Sequence, residues 1–174
     1  MRHTISITVA NEAGELSRIV GLFSARGYNI ETISVGKTLE PNWSRATIVT
    51  NGDQRTIEQI VKQCARLARV REVREVTADP HIEREMALID VFVQAGDERN
   101  EVMNLVTIFR AKVVDISHEQ MILEMSGTRE KVDTFIEMLK PLKVSQVTRS
   151  GCVAINRLSP FEIVEEKAAI AVEQ

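Results

Sequence analysis

The chain has few of the residues from which disulfide frameworks, metal centres and catalytic clusters are built. Its 174 residues include only two cysteines, Cys64 and Cys152, and three histidines. The cysteines are far apart and one lies in an apolar helical stripe, which predicts buried thiols rather than a disulfide framework. His3, His81 and His118 fall in different segments, and none is spaced as a metal ligand set or a nucleophile–base pair. We therefore predict no catalytic residue, cofactor or metal on this chain.

An excess of positive charge and a long apolar run are also missing. The net charge is −3, whereas a nucleic-acid-binding domain is usually basic. No apolar run approaches the length that crosses a bilayer, and the first residues alternate instead of forming an apolar signal core. Hydrophobic residues nevertheless make up 44 % of the chain, enough for a packed core. We expect a cytoplasmic protein with neither a nucleic-acid nor a membrane partner.

The first part of the chain has the pattern of a β-α-β-β-α-β unit. Residues 2–9 alternate between polar and apolar, which predicts a half-buried strand, and apolar residues spaced i, i+3, i+4, i+7 then predict a helix. The further elements are strands at 28–38, 44–50 and 70–77, and two helical stripes formed by Leu16, Ile19, Val20 and Phe23 and by Ile57, Ile60, Val61 and Cys64.

The same order of elements returns after a break at Ala78–His81. Strands are predicted at 86–93, 112–117, 119–126, 143–148 and 152–155, with helical stripes at Val102, Leu105, Val106 and Phe109 and at Val132, Phe135, Ile136 and Leu139. We predict an α+β protein of two tandem ferredoxin-like domains, each an antiparallel sheet with helices on one face. The predicted boundaries are residues 1–78, a linker at 79–85, a second domain at 86–157 and a tail at 158–174.

The turn between the first strand and the first helix is the strongest candidate for a ligand site. Gly14 at such a turn lets a ligand approach the backbone, and the helix start beyond it presents unpaired N–H groups to an anion. This favours a pocket for a small carboxylate. The same residue types are also ordinary in turns and helix caps, so residue chemistry alone leaves both interpretations open.

A comparison of the two halves predicts that only the first binds a ligand. When the first helical stripe of each half is superposed, Gly14 corresponds to Asn100 and Asn29 to Asp115. On that alignment the second half has no turn glycine and has a carboxylate nearby, and both changes disfavour an anionic ligand.

Two long motifs give the chain a family resemblance. The motif Asn11–Arg18 (Asn-Glu-x-Gly-x-Leu-Ser-Arg) and the motif Gly21–Glu31 resemble the N-terminal domain of the small regulatory subunits of acetolactate synthase. That domain belongs to the ACT family of amino-acid sensors. Shorter matches follow at Ser44–Ile48, Gly52–Asp53, His81–Glu85, Ile108–Arg110, Gly127–Thr128 and Arg149–Gly151. The resemblance extends over about residues 1–157 and leaves out the tail.

The resemblance implies a valine site shared between two copies of the chain. Family members bind valine between two ACT domains in a side-by-side homodimer. Matched to this sequence, the site takes its residues from the turn of one copy and from the segment after the first helix of the other. These residues are Asn11, Glu12, Ala13, Gly14, Glu15 and Leu16, together with Asn29 and Ile30.

The resemblance also implies a function in the biosynthesis of valine, isoleucine and leucine. The family's small subunit activates a large catalytic subunit and makes it sensitive to feedback inhibition by valine. Thiamine diphosphate, Mg²⁺ and FAD are expected on that catalytic partner and none of them on this chain. One alternative is a stand-alone ACT amino-acid sensor without an enzyme partner. Another is an enzyme on a ferredoxin-like scaffold, and the scattered positions of the histidines argue against it.

Overall fold

A computed structural model describes residues 1–94 and 96–158, which fold as two consecutive α+β units. The first unit comprises β1 (Arg2–Ala10), α1 (Glu15–Ala25), β2 (Ile30–Lys37), β3 (Trp43–Asn51), α2 (Gln54–Cys64) and β4 (Val70–Glu75). The second comprises β5 (His81–Phe92), α3 (Asp97–Phe109), β6 (Lys112–Ile116), β7 (Gln120–Gly127), α4 (Arg129–Leu139) and β8 (Val144–Asn156). The strand orders, β2-β3-β1-β4 and β6-β7-β5-β8, are equivalent and antiparallel throughout. The predicted α+β fold with two ferredoxin-like units is confirmed.

Each unit has its own apolar core between its sheet and its two helices. Phe23 lies at the centre of the first core and Phe135 at the centre of the second, and both are fully buried. One residue of the predicted stripes departs from this arrangement, because Leu16 is 39 % exposed. The buried residues of α1 are Glu15, Ile19 and Phe23, which lie four positions apart and therefore on one side of the helix.

The two units are joined by a ribbon made from the outer halves of β5 and β8. Residues 81–85 of β5 pair with residues 152–156 of β8, in antiparallel register from His81↔Asn156 to Glu85↔Cys152. The sequence placed residues 79–85 in a linker, but strand β5 begins at His81. Pro80 and the charged residues after it indicated a loop. These residues nevertheless form a strand because they pair with β8, whose residues lie about 70 positions later in the chain.

The ribbon lies against the face of the first sheet that its helices leave free. Thr4 and Val49 are paired neighbours on that face and are both fully buried. The Thr4 hydroxyl is 3.4 Å from Glu83 Oε2, and Arg2 Nη1 donates to Glu83 Oε1 at 3.0 Å. The second unit therefore covers the part of this face around Thr4 and Val49, opposite the helices.

The helices of the described residues are short, with 13 residues in the longest, α3. None of those helices has the length and apolar character needed to cross a membrane. Of the predicted tail at 158–174, only Leu158 belongs to the described residues.

Candidate functional site

The turn at the end of β1 holds an open glycine at the start of α1. Gly14 is the N-cap residue of α1, with φ 89° and ψ −15°, a left-handed conformation that favours glycine. A Cβ atom added to Gly14 would meet no other atom within 4 Å. The backbone conformation therefore favours glycine at this position, and the space in front of it is free for a ligand.

Backbone hydrogen bonds hold the base of this turn and leave its tip unpaired. The Asn11 N–H donates to the carbonyl of Asn42 at 2.8 Å, and the Asn11 side-chain amide lies 3.4 Å from the carbonyl of Pro41. Within the described residues, the N–H groups of Glu12, Ala13 and Gly14 donate no hydrogen bond. Unpaired N–H groups at a helix start, where the helix dipole is positive, are suited to a carboxylate.

The first two residues of α1 differ in what they offer to a ligand. Glu15 is buried, and its Oε1 lies 3.0 Å from Arg18 Nη1, so its charge is already paired. Leu16 is partly exposed beside the turn, where its apolar side chain is accessible. Of the two, Leu16 is the better placed to contact an aliphatic ligand.

Asn29 and Ile30 lie at the other end of the first sheet from this turn. Ile30 pairs with Thr50, whose hydroxyl donates to the carbonyl of Asn29 at 2.6 Å, whereas the turn follows Ala10, which pairs with Trp43. Strand β3 has 9 residues, so at about 3.3 Å per residue its two ends are roughly 25 Å apart. A single copy of the chain therefore does not bring the two parts of the predicted site together.

The turn between β5 and α3 also contains a glycine, contrary to the sequence alignment of the two halves. Gly96 is the N-cap residue of α3 and has φ 112°, so the counterpart of Gly14 is Gly96 and not Asn100. The alignment was displaced by four residues, about one helical turn, because an apolar stripe with i, i+4 spacing still matches itself after such a shift. The prediction that the second half lacks a turn glycine is wrong.

The counterpart of Asn29 changes with the corrected alignment. Tyr28 N–H donates to Phe23 O in the first unit, and Ala111 N–H donates to Val106 O in the second, both at 2.9 Å. These equivalent bonds at the helix ends make Lys112 the counterpart of Asn29, so the predicted carboxylate at that position, Asp115, is not equivalent to Asn29. The acceptors of these bonds lie nine residues after Gly14 and ten after Gly96, so counterparts counted from the N-cap glycine and from the helix end differ by one residue.

The difference between the two turns lies in a side chain that the sequence comparison missed. Glu98 is the second residue of α3, and its Oε2 accepts a hydrogen bond from the Gln94 N–H at 2.9 Å. Counted from the N-cap glycine, the corresponding residue of α1 is Leu16, which has no polar group to place there. Counted from the helix end it is Glu15, whose carboxylate pairs with Arg18 and, among the described residues, accepts no hydrogen bond from the turn. In the second unit a carboxylate of the chain occupies the turn, while in the first unit the N–H groups stay free. The acidic pair Asp97–Glu98 directly after Gly96 is the sequence signal for this contact.

The remaining candidates for chemistry form no site in the described part of the chain. His3 shares a hydrogen bond of 2.6 Å with Glu75 Oε1 and is buried, and no group of acidic, histidine and cysteine side chains there is arranged to hold a metal ion. Both cysteines are free and buried, as predicted. Burial raises the pKa of the Cys64 thiol to about 11 and, together with the nearby Glu83 carboxylate, that of Cys152 to about 11, so neither is a reactive thiolate at neutral pH.

The two units match two models of one family. Residues 5–72 match the AHAS small subunit-like ACT domain, and residues 84–158 match the small subunit of acetolactate synthase. The acetolactate synthase small subunit of Aquifex aeolicus is 44 % identical over 156 residues, which cover 90 % of this chain and 81 % of that protein. The chain belongs to the acetolactate synthase small-subunit family.

Other members of the acetolactate synthase small-subunit family agree in length and in structure. The acetolactate synthase isozyme 3 small subunit of Escherichia coli is 40 % identical over 158 residues, covering 90 % of this chain and 96 % of that protein. The crystal structure of the small subunit from Thermotoga maritima matches with a TM-score of 0.84 and 40 % identity, over 91 % of this chain and 99 % of that one. Membership of this family gives the chain a regulatory role in branched-chain amino-acid synthesis.

Proposed function

We propose that the chain regulates an acetolactate synthase by binding valine between the first units of two copies. The observation that carries this proposal is the separation of the candidate residues. The Asn11–Leu16 turn and the Asn29–Ile30 segment lie at opposite ends of one sheet, so a pocket that uses both needs two chains.

The position of β2 explains how a second copy completes the pocket. β2 is an edge strand of the first sheet, next to β3 only. Antiparallel pairing of β2 with the same strand of a twofold-related copy sets the Ile30 end of one strand beside the Lys37 end of the other. Lys37 pairs with Ser44, at the end of the sheet where the Asn11 turn lies. Each turn then faces the Asn29–Ile30 segment of the other copy.

The chemistry of the two parts suits the three groups of valine. The free N–H groups of the turn bind the carboxylate, with a contribution from the helix dipole of about 0.3–1 kcal/mol. The amide oxygens of Asn11 and Asn29 accept hydrogen bonds from the ammonium group, and Leu16 and Ile30 contact the isopropyl group. Because one methylene changes binding by only about 1–3 kcal/mol, leucine and isoleucine bind more weakly but measurably.

Regulation follows from unequal binding to two arrangements of a complex with the catalytic subunit. The chain raises the activity of that subunit, and valine lowers it by binding the less active arrangement more tightly. Carbon–carbon bond formation, with thiamine diphosphate, Mg²⁺ and FAD, belongs to the catalytic subunit. The second unit, whose turn is occupied by Glu98, is assigned to contact with that subunit. A cytoplasmic location stays a prediction.

Reconstitution of the complex tests the proposal directly. The purified chain is added to an acetolactate synthase catalytic subunit, and product formation is measured with and without valine. We expect the chain to raise the activity and valine to lower it only when the chain is present. Valine binding in calorimetry without any effect on the enzyme would instead support the stand-alone sensor, and neither binding nor activation would refute both.

A further inference from the structure

An ion pair connects the start of β2 to the second unit. Arg129, the first residue of α4, donates from Nη1 to Glu31 Oε2 at 2.8 Å, across 98 positions of sequence. Glu31 follows directly after Asn29 and Ile30. The segment that the proposed valine site takes from the second copy is therefore held by a side chain of the other unit of its own chain.

Behind Arg129, a series of charged side chains continues to the core of the second unit. Asp133 Oδ2 lies 3.6 Å from Arg129 Nε, and its Oδ1 accepts a hydrogen bond from Arg149 Nη2 at 2.6 Å. Arg149 Nε in turn donates to Glu85 Oε1 at 2.6 Å, and Glu85 is buried on β5. The pairs link β2 through α4 and β8 to β5, so Arg129 is fixed relative to the second sheet.

A backbone contact holds β2 to the second unit at another point. Gly151 of β8 has φ 74°, and a Cβ atom added there would lie 3.2 Å from the carbonyl oxygen of Ile33. Two residues earlier on β2, the hydrogen bond from Arg129 lowers the pKa of Glu31 and so favours its charged form. A movement of the second unit therefore acts on β2 through a charged contact at Glu31 and a packing contact at Ile33.

We propose that Arg129 is a positioning residue that couples valine binding to the second unit by holding Glu31 and, through it, the Asn29–Ile30 segment. This inference rests on the proposed function. A ligand shifts an equilibrium only as far as its affinities for the two states differ. The Glu31–Arg129 pair supplies such a difference, because the geometry of the valine pocket then depends on where the second unit lies.

The test is the full-length Arg129→Gln variant, reconstituted with the catalytic subunit. Valine binding to the chain is measured by calorimetry, and valine inhibition is measured on the complex. We expect the affinity of the free chain for valine to change by less than about twofold. The ratio of the valine affinities of the less active and the more active arrangement of the complex should fall by at least about fivefold, which is the lower end of typical coupling. The matched control is Lys140→Gln at the C-cap of the same helix. Lys140 pairs at 2.5 Å with Glu137 of its own unit, so inhibition should stay normal.

A charge exchange separates coupling from general destabilisation. Glu31→Gln should reproduce the loss of inhibition, and the double variant Glu31→Arg with Arg129→Glu should restore much of it, which a merely destabilising change would not do. The inference would be overturned if the valine concentration that inhibits the Arg129→Gln complex were the same as the concentration that inhibits the wild-type complex. A parallel loss of binding and inhibition would overturn it as well, because Arg129 would then only support the pocket. A wild-type chain without any valine response would refute the proposed function itself.

Discussion

The two units have one fold, and within the described residues a side-chain carboxylate accepts a hydrogen bond from the backbone of one turn only, the turn of the second unit. Each first helix begins after a glycine with positive φ, Gly14 in the first unit and Gly96 in the second. In the second unit Glu98 accepts a hydrogen bond from the Gln94 N–H, whereas Leu16, also the second residue of its helix, has no polar group and the N–H groups of the first turn stay free. The comparison teaches that the fold provides a positive-φ glycine at the start of both helices, although ψ differs between them (−15° at Gly14 and −132° at Gly96). On the proposed function, the side chains that follow each glycine decide whether an external carboxylate binds there.

The largest effect is expected from a carboxylate placed in the open turn. Gly14→Asp puts a negative charge where the valine carboxylate is proposed to bind, and juxtaposed like charges cost several kcal/mol. We expect valine affinity in calorimetry to fall by on the order of 100-fold. Aspartate tolerates the left-handed conformation better than most residues, and the surrounding space is free, so the variant should fold.

Gly96→Asp is the matched control for this substitution. Its backbone also has positive φ and a Cβ atom there would meet nothing within 4 Å. Its ψ of −132° lies outside the left-handed region, so Gly96→Asp carries the larger backbone strain of the two variants. Valine affinity should change less than about twofold for Gly96→Asp. Equal losses in the two variants would mean that the proposed difference between the turns does not exist.

A smaller effect is expected when the first turn is made to resemble the second. Leu16→Glu places a carboxylate at the helix position that Glu98 occupies in α3, where it competes with the ligand for the turn N–H groups. We expect valine affinity to fall roughly tenfold, equivalent to about 1.4 kcal/mol. Leu16→Gln removes the same apolar contact without adding a charge, so a comparison of the two variants by calorimetry isolates the carboxylate. Identical affinities would contradict the role given to Glu98.

The fold was predictable from the sequence because local patterns carry it. Local alternation and the helical stripes located the four helices and the strands of both units, except that the two strands predicted at 143–148 and 152–155 are one continuous strand, β8. Contacts between distant residues were not predictable. Residues 2–9 were expected to form a half-buried strand, yet Thr4 is fully buried because β5 and β8 cover that face. For the same reason the residues from His81 to Glu85 appeared to be a linker until their pairing with β8 was known.

The candidate site was predictable only in part, for a related reason. The turn at Gly14 has a local signature in its glycine and helix start, and it was found from them. Its counterpart was misplaced because a stripe with a period near 3.6 residues cannot distinguish an alignment from one shifted by a turn. The pairing of Glu31 with Arg129 has no local signal at all, since the two residues are 98 positions apart.

A last substitution, which leaves the proposed pocket unchanged, tests whether the two units unfold together, as the shared contacts on β2 predict. Gly151→Ala forces a left-handed backbone on alanine and places its Cβ 3.2 Å from Ile33 O, across the contact between the units. We expect the free energy of unfolding to fall by about 1–2 kcal/mol. The only tryptophan, Trp43, lies in the first unit. Its fluorescence therefore reports whether a substitution in the second unit lowers the stability of the first unit.

The expected result is a fluorescence transition at lower denaturant that coincides with the loss of far-ultraviolet circular dichroism. Gly36→Ala on β2 is the control, because its backbone does not have positive φ and a Cβ atom there would meet nothing within 4 Å. Its effect should lie within about 0.5 kcal/mol, as is usual for substitutions away from special features. If Gly151→Ala left the Trp43 transition unchanged, the two units would unfold separately. The contacts of β2 with the second unit would then be too weak to transmit a signal from the turn at Gly14.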